Sequence, residues 1–205
     1  MIQFTRPADS CQGDRTTVKH PAHSTKPDKT DATSARHKAG PARPAHRAAS
    51  SPAWLRIVSG GQTGVDRAAL DVAIGLKLPH GGWCPRGRLA EDGRIPRRYE
   101  LQETDSADYP VRTERNVQES DATLVLCRGR PVGGTYLTVR MARKHRRPCL
   151  VVDLDAPLPP EKVRAWIAAG EVRCLNVAGP RASQSPGIGR QAAAYLREVL
   201  RPLAP

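Results

Sequence analysis

A chain of 205 residues with 33 Lys+Arg against 20 Asp+Glu, a formal charge of +13, is sized for roughly one domain and favours anionic over cationic partners. Residues 1–52 hold 9 Lys+Arg and 4 Asp (net +5), which leaves 24 and 16 (net +8) for residues 53–205, so the basic balance belongs to the whole chain. Aromatic residues are only 4%, which argues against a single-stranded nucleic-acid platform built on base stacking.

Residues 1–52 are rich in Ala, Ser, Thr, Pro, His and Lys without apolar periodicity. They are expected to form a disordered basic tail ahead of one folded domain over residues 53–205. His20, His23, His37 and His46 are irregularly spaced, as in a solvated tail rather than a metal tract. At Trp54 the composition changes. Leu55 to Val58 reads as a buried strand ended by Ser59-Gly60-Gly61. Thr63 to Leu76 reads as a helix with Val65, Ala69, Val72 and Leu76 on one face. His80 to Tyr99 is rich in Gly, Pro and Arg and reads as irregular. A short helix over Thr113 to Glu119 precedes a second apolar strand, Ala122 to Cys127. Gly134 to Arg147 reads as a helix with basic residues at its end, as the macrodipole favours. Cys149 to Asp153 is a third strand, and Pro160 to Ala169 a helix with Pro near its start. Val172 to Val177 is a fourth strand, and Ile188 to Leu200 a final helix.

Strands alternating with helices predict an α/β fold with a mostly parallel sheet flanked by helices. The strands are continuous apolar runs, which suits a sheet covered on both faces. No run of about 18 apolar residues exists, so no transmembrane helix and no membrane partner are expected. The first residues, MIQFTRPADS, lack the apolar stretch of a secretory signal. The five cysteines are scattered and form no CxxC pair. They support neither a disulfide framework nor a zinc knuckle, and a cytoplasmic location is expected.

Three strand-to-helix junctions carry glycine with Thr, Ser or Arg: Ser59 to Arg67, Arg128 to Thr135, and Gly179 to Gly187. In open α/β sheets ligands sit beyond the carboxyl ends of the strands. Glycine lets backbone N–H groups come close, and a helix N-terminus favours an anion. The candidate ligand-binding residues are therefore Gly60, Gly61, Gln62, Thr63, Gly64 and Arg67 from the first junction and Gly133, Gly134 and Thr135 from the second. Both junctions are expected to converge on one phosphate, the second from the neighbouring strand. The Lys-Ser/Thr of a P-loop is missing after Gly64, and the glycine spacing does not match a dinucleotide fingerprint.

Arg86 and Arg88 can fork onto phosphate oxygens, and Arg86 joins the candidate site. Trp83 fits either a stacking platform or a core aromatic. Cys84 is a candidate soft-metal thiolate or, more simply, a small buried apolar group. Glu91 and Asp92 fit an acid/base pair or hydrogen bonds within the loop. Asp66 fits a helix cap, a ligand contact or a partner for Arg67. Thr113 and Asn116 share a helical face. The run Arg143 to Arg147 reads as a solvated helix end rather than a nucleic-acid patch. No residue stands out as catalytic and none as a metal ligand.

Taken together, SGGQTGVDRAALD, GGWCPRGRLAEDG, RTERNVQESDATLVL, GGTYLTVRMA and NVAGPRASQSPGI resemble the putative molybdenum carrier family, within the Rossmann-like SLOG group related to cytokinin-activating phosphoribohydrolases. The resemblance spans about residues 54–201. It implies a Rossmann-like fold, a homo-oligomer (dimer or tetramer), and binding of molybdenum cofactor (molybdopterin) or a related phosphorylated ligand without chemistry. Molybdoenzymes or cofactor-synthesis proteins would be its partners. A nucleotide sensor or hydrolase acting on ADP-ribose or a nucleoside monophosphate is the alternative. The related hydrolases carry PGGxGTxxE with a catalytic Glu; here Thr138 stands where that Glu falls.

Overall fold

The computed structural model describes residues 54–205; the tail expected over residues 1–52 lies outside the described residues. In chain order the elements are β1 (Arg56–Val58), α1 (Val65–Gly75), β2 (His80–Gly81), β3 (Trp83–Cys84), β4 (Leu89–Ala90), β5 (Gly93–Arg94), β6 (Gln102–Glu103), α2 (Tyr109–Gln118), β7 (Ala122–Cys127), α3 (Gly133–Lys144), β8 (Cys149–Asp153), α4 (Pro160–Ala169), β9 (Cys174–Ala178) and α5 (Ile188–Leu200). A 3-10 turn, Arg201–Leu203, follows. Five strands form one parallel sheet in the order β2-β1-β9-β7-β8. This is the expected Rossmann-like α/β architecture. Among the described residues no helix is long and apolar enough to cross a membrane.

Side-chain alternation along the strands divides the interior into two layers. Ile57 lies beside Leu175, and Leu124 beside Val177. These residues, with Ala122 and Leu126, bury against α1, α4 and α5 in the main core. Val58, Thr123, Val125 and Asn176 point the other way, towards the side of α2 and α3. There Asn176 Nδ2 donates to Thr123 Oγ1 at 3.2 Å, so both buried polar side chains have a partner.

The stretch read as irregular is ordered, and it contains what the sequence pattern missed. β2 has only two residues, one of them glycine, and so no apolar run to read. It is fixed by backbone bonds from Ile57 N to Pro79 O (2.9 Å) and from Ser59 N to Gly81 O (3.0 Å). β4 and β5 form a hairpin turning at Glu91-Asp92. A second, small core of Leu70, Cys84, Ile95, Tyr99 and Leu101 lies beneath. Arg88 is buried, and its guanidinium donates to the carbonyls of Ile95, Pro96, Tyr99 and Leu101. Its expected role as a phosphate fork is corrected: its donors are committed to this loop. α2 starts at Tyr109 rather than Thr113, with Pro110 in its first turn.

Candidate functional site

The carboxyl ends of β1, β9 and β7 border a cleft of about 130 Å³. α1 carries the chain from β1 out to β2, and α3 carries it from β7 out to β8 in the opposite direction. The cleft therefore opens at the topological switch point, where such sheets bind ligands. β9 stands between β1 and β7, so the two glycine junctions are not on neighbouring strands as expected. The end of β9 (Ala178) and the third junction (Gly179, Arg181 and Gln184) line the cleft between them.

Of the candidate ligand-binding residues named from sequence, Gln62, Gly134 and Thr135 line the cleft, and Asp66 and Thr113, also singled out there, line it too. Gly60, Gly61, Thr63, Gly64, Arg67, Arg86 and Gly133 are not among its lining residues. Gly61 packs against Leu101 and Ile95, and a Cβ on Gly64 would meet Pro180 O at 2.3 Å. Gly64 thus serves a close backbone crossing. Arg67 is held by Asp92 through both terminal nitrogens and donates from Nε to Gly61 O at 3.1 Å. Arg86 is exposed on the far turn, where its N–H donates to Ser106 O.

The two helix N-termini also differ. At α1 the Val65 N–H is already taken by Pro180 O (3.2 Å). At α3 the cap residue is Val132, no side chain caps the turn, and nothing lies within 4 Å of a Cβ built on Gly134. The Thr135 and Tyr136 N–H groups return to Val132 O. Gly133 and Gly134 therefore leave the unpaired N–H groups of a first helical turn beside the cleft.

The strongest electrostatic feature was not legible beforehand. Asp66 is 3% exposed, and its Oδ2 accepts from Arg112 Nη1 at 3.0 Å. Its partner is Arg112, 46 residues away, and not Arg67. Burial pushes the Asp66 carboxyl above its usual range, while Arg112 pulls against that rise. Arg112 Nε is buried and has no acceptor among the described residues. Tyr109, Thr113, Leu137, Thr138, Arg181 and Gln184 complete the wall.

The other candidates have structural duties. Trp83 is covered by Arg115 at 4.3 Å and donates from Nε1 to Glu119 at 2.7 Å, so it is not a free platform. Cys84 is fully buried, and burial raises its thiol pKa. Asn116 bridges both backbone groups of Trp83, and Thr113 donates to Tyr109 O. Glu91 accepts from Thr63 and Ser183, which ties the hairpin to two of the junctions. Glu91 and Asp92 are thus hydrogen-bonding groups of the loop. Among the described residues no group of three or more His, Cys, Asp or Glu is placed to hold a metal ion.

A crystal structure named as that of a putative molybdenum carrier protein from Syntrophus aciditrophicus is 46% identical with a TM-score of 0.69, over 73% of this chain and 96% of that one. (E)-4-Hydroxy-3-methyl-but-2-enyl diphosphate reductase is 13% identical with a TM-score of 0.33, over 71% and 59%, too distant to bear on this chain. No curated protein matches. Residues 57–200 match the circularly permutated YpsA SLOG family, and with the fold and the glycine junctions in place, the chain belongs to that family.

Proposed function

We propose that the protein is a carrier that holds the molybdenum cofactor, a phosphorylated pterin, in this cleft and does not transform it. One observation carries the reading: the uncapped N-terminus of α3 brings Gly134 to the same cleft as Arg112, whose buried Nε has no acceptor among the described residues. An anion is the missing partner of both. The residues fit the phosphate end of such a group: Arg112 and Arg181 supply cations, and the Gly134 backbone is open to close approach. When bound, the cofactor brings the redox chemistry of its metal, for use by an enzyme that receives it. The 46% identical protein named as a putative molybdenum carrier supports this ligand. Thr138 supports holding over hydrolysis, because its hydroxyl is buried and donates to Gly134 O at 3.2 Å. Molybdoenzymes or cofactor-synthesis proteins are the proposed partners, in the cytoplasm, with the carrier as a homo-oligomer. Freshly purified protein from cells that make the cofactor should contain molybdenum and a pterin in about equal amounts. Neither being present, by metal analysis and pterin fluorescence, would overturn the reading.

Asp66 favours a second reading, that of a nucleotide sensor or hydrolase. It is a buried carboxyl on the cleft wall whose raised pKa suits proton transfer. Release of free base from a nucleoside monophosphate, abolished in Asp66→Asn, would select it.

A further inference from the structure

We propose that Arg112 and Tyr109 are the recognition pair of the cleft, Arg112 taking a phosphate and Tyr109 a ring, so that the site selects a phosphate ester joined to a flat heterocycle. This rests on the cleft being the ligand site and adds which side chains choose the ligand.

Tyr109, Arg112 and Thr113 stand at positions i, i+3 and i+4 of α2 and form one stripe on the cleft wall. Asp66 holds the guanidinium through Nη1 alone, so the fork is positioned before any ligand arrives. Buried donors in folded proteins nearly always have an acceptor. The unanswered Nε of Arg112 therefore marks where an oxygen is missing. Arginine's planar fork matches two oxygens of one phosphate in a way lysine cannot.

The size of the cleft explains the second half of the pair. At about 130 Å³ it is well below the roughly 300–1,000 Å³ of pockets that enclose a whole ligand. It takes the anionic end, and the remainder of the ligand lies at the rim. Tyr109 is the aromatic residue of the cleft lining and is 40% exposed. Arg112 Cζ stands 6.0 Å from its ring centroid, at the outer limit of a cation–π contact, while Arg115 lies closer over Trp83, at 4.3 Å. Arg181 and the Gly134 backbone face this pair across the cleft.

The test is calorimetry on the full chain at fixed salt with AMP, flavin mononucleotide, ribose 5-phosphate and adenosine. AMP is expected to bind at least tenfold more tightly than ribose 5-phosphate or adenosine. Tyr109→Leu should weaken AMP at least tenfold and leave ribose 5-phosphate unchanged. Arg112→Lys keeps a cation beside Asp66 and should weaken AMP, flavin mononucleotide and ribose 5-phosphate at least tenfold. If that variant melts below the parent, Arg112→Gln with Asp66→Asn removes both charges and should bind as weakly. Three results would overturn the proposal: no binding of AMP or flavin mononucleotide at millimolar concentration; Tyr109→Leu weakening both probes alike, or neither; or a folded Arg112 variant binding AMP as the parent does. Mass spectrometry of the ligand retained on purification separates the sources. A pterin phosphate or an adenine nucleotide each supports the pair, and a ligand lacking ring or phosphate overturns it. A pterin retained without the Tyr109 and Arg112 pattern overturns this assignment and leaves the carrier reading standing.

Discussion

Arg112 Nη1 lies 1.5 Å from the point where a Cβ on Gly60 would be built. Gly60 does not have a left-handed φ, so this position is kept clear for a guanidinium and not for a turn. Gly60→Ala should displace Arg112 and leave Asp66, whose side chain is 4% exposed, without its cation. Removing one partner of a buried pair costs about 3–5 kcal/mol. Gly60→Ala and Arg112→Ala should therefore each destabilise by an amount of that order, and the double variant by little more than either alone. Equal, additive losses in urea denaturation would separate the two positions.

Gly64 has φ +79° and ψ −126°, a conformation open essentially to glycine alone. A Cβ there would also sit 2.3 Å from Pro180 O and 2.9 Å from Arg181 C. Both obstacles are backbone and cannot swing aside. Gly64→Ala is expected to cost at least about 2 kcal/mol, or about 4–8 °C of melting temperature for a domain of this size. Thermal melts without ligand check this, and an unchanged melting temperature contradicts it.

Burial works to raise the pKa of Glu91, but hydrogen bonds from Ser183 and Thr63 outweigh it, helped by Arg181, and the carboxyl ends below its ordinary 4.5. A depressed folded pKa adds stability above the unfolded value that disappears as pH falls through the folded one. Glu91→Gln should melt lower than the parent near neutral pH and lose less on going from about pH 5 to about pH 3. Parallel pH-melt curves for the two proteins would refute this.

Arg88 answers four loop carbonyls with one planar group. Arg88→Lys places a compact ammonium with three donors there and should leave at least one of them unmet, at about 1–3 kcal/mol. Hydrogen exchange should accelerate across residues 95–101 more than in α5. Uniform acceleration would mean that the small core is not a separate unit.

The sheet strands of three or more residues are readable as short continuous apolar runs, and the helices by apolar residues recurring at the 3.6 period. Short elements are not. β2 follows Pro79 and includes Gly81, so its pairing is a matter of backbone alone. The glycine junctions pointed to the end of the sheet where the cleft lies but not to the groups that line it. Gly60 and Gly64 look alike in sequence, yet one admits a side chain and the other a crossing backbone. The Asp66–Arg112 contact joins elements 46 residues apart, and no local spacing records it. The sequence pattern starts α2 at Thr113, four residues after its true start, and so leaves Tyr109 out of the stripe through Arg112.

Ser59 Oγ donates to Val177 O at 2.6 Å across 118 residues of chain, and β9, the last in sequence of the described strands, is the middle of the sheet. At about 5–20 residues per second, synthesis puts about 6–24 s between the two ends of that bond. Until then β1 and β7 lack the strand that each pairs with in the finished sheet. The five-stranded sheet is complete only once β9 is made, and before that the strand edges it covers on β1 and β7 are where chaperone capture or mispairing with another nascent chain competes with folding.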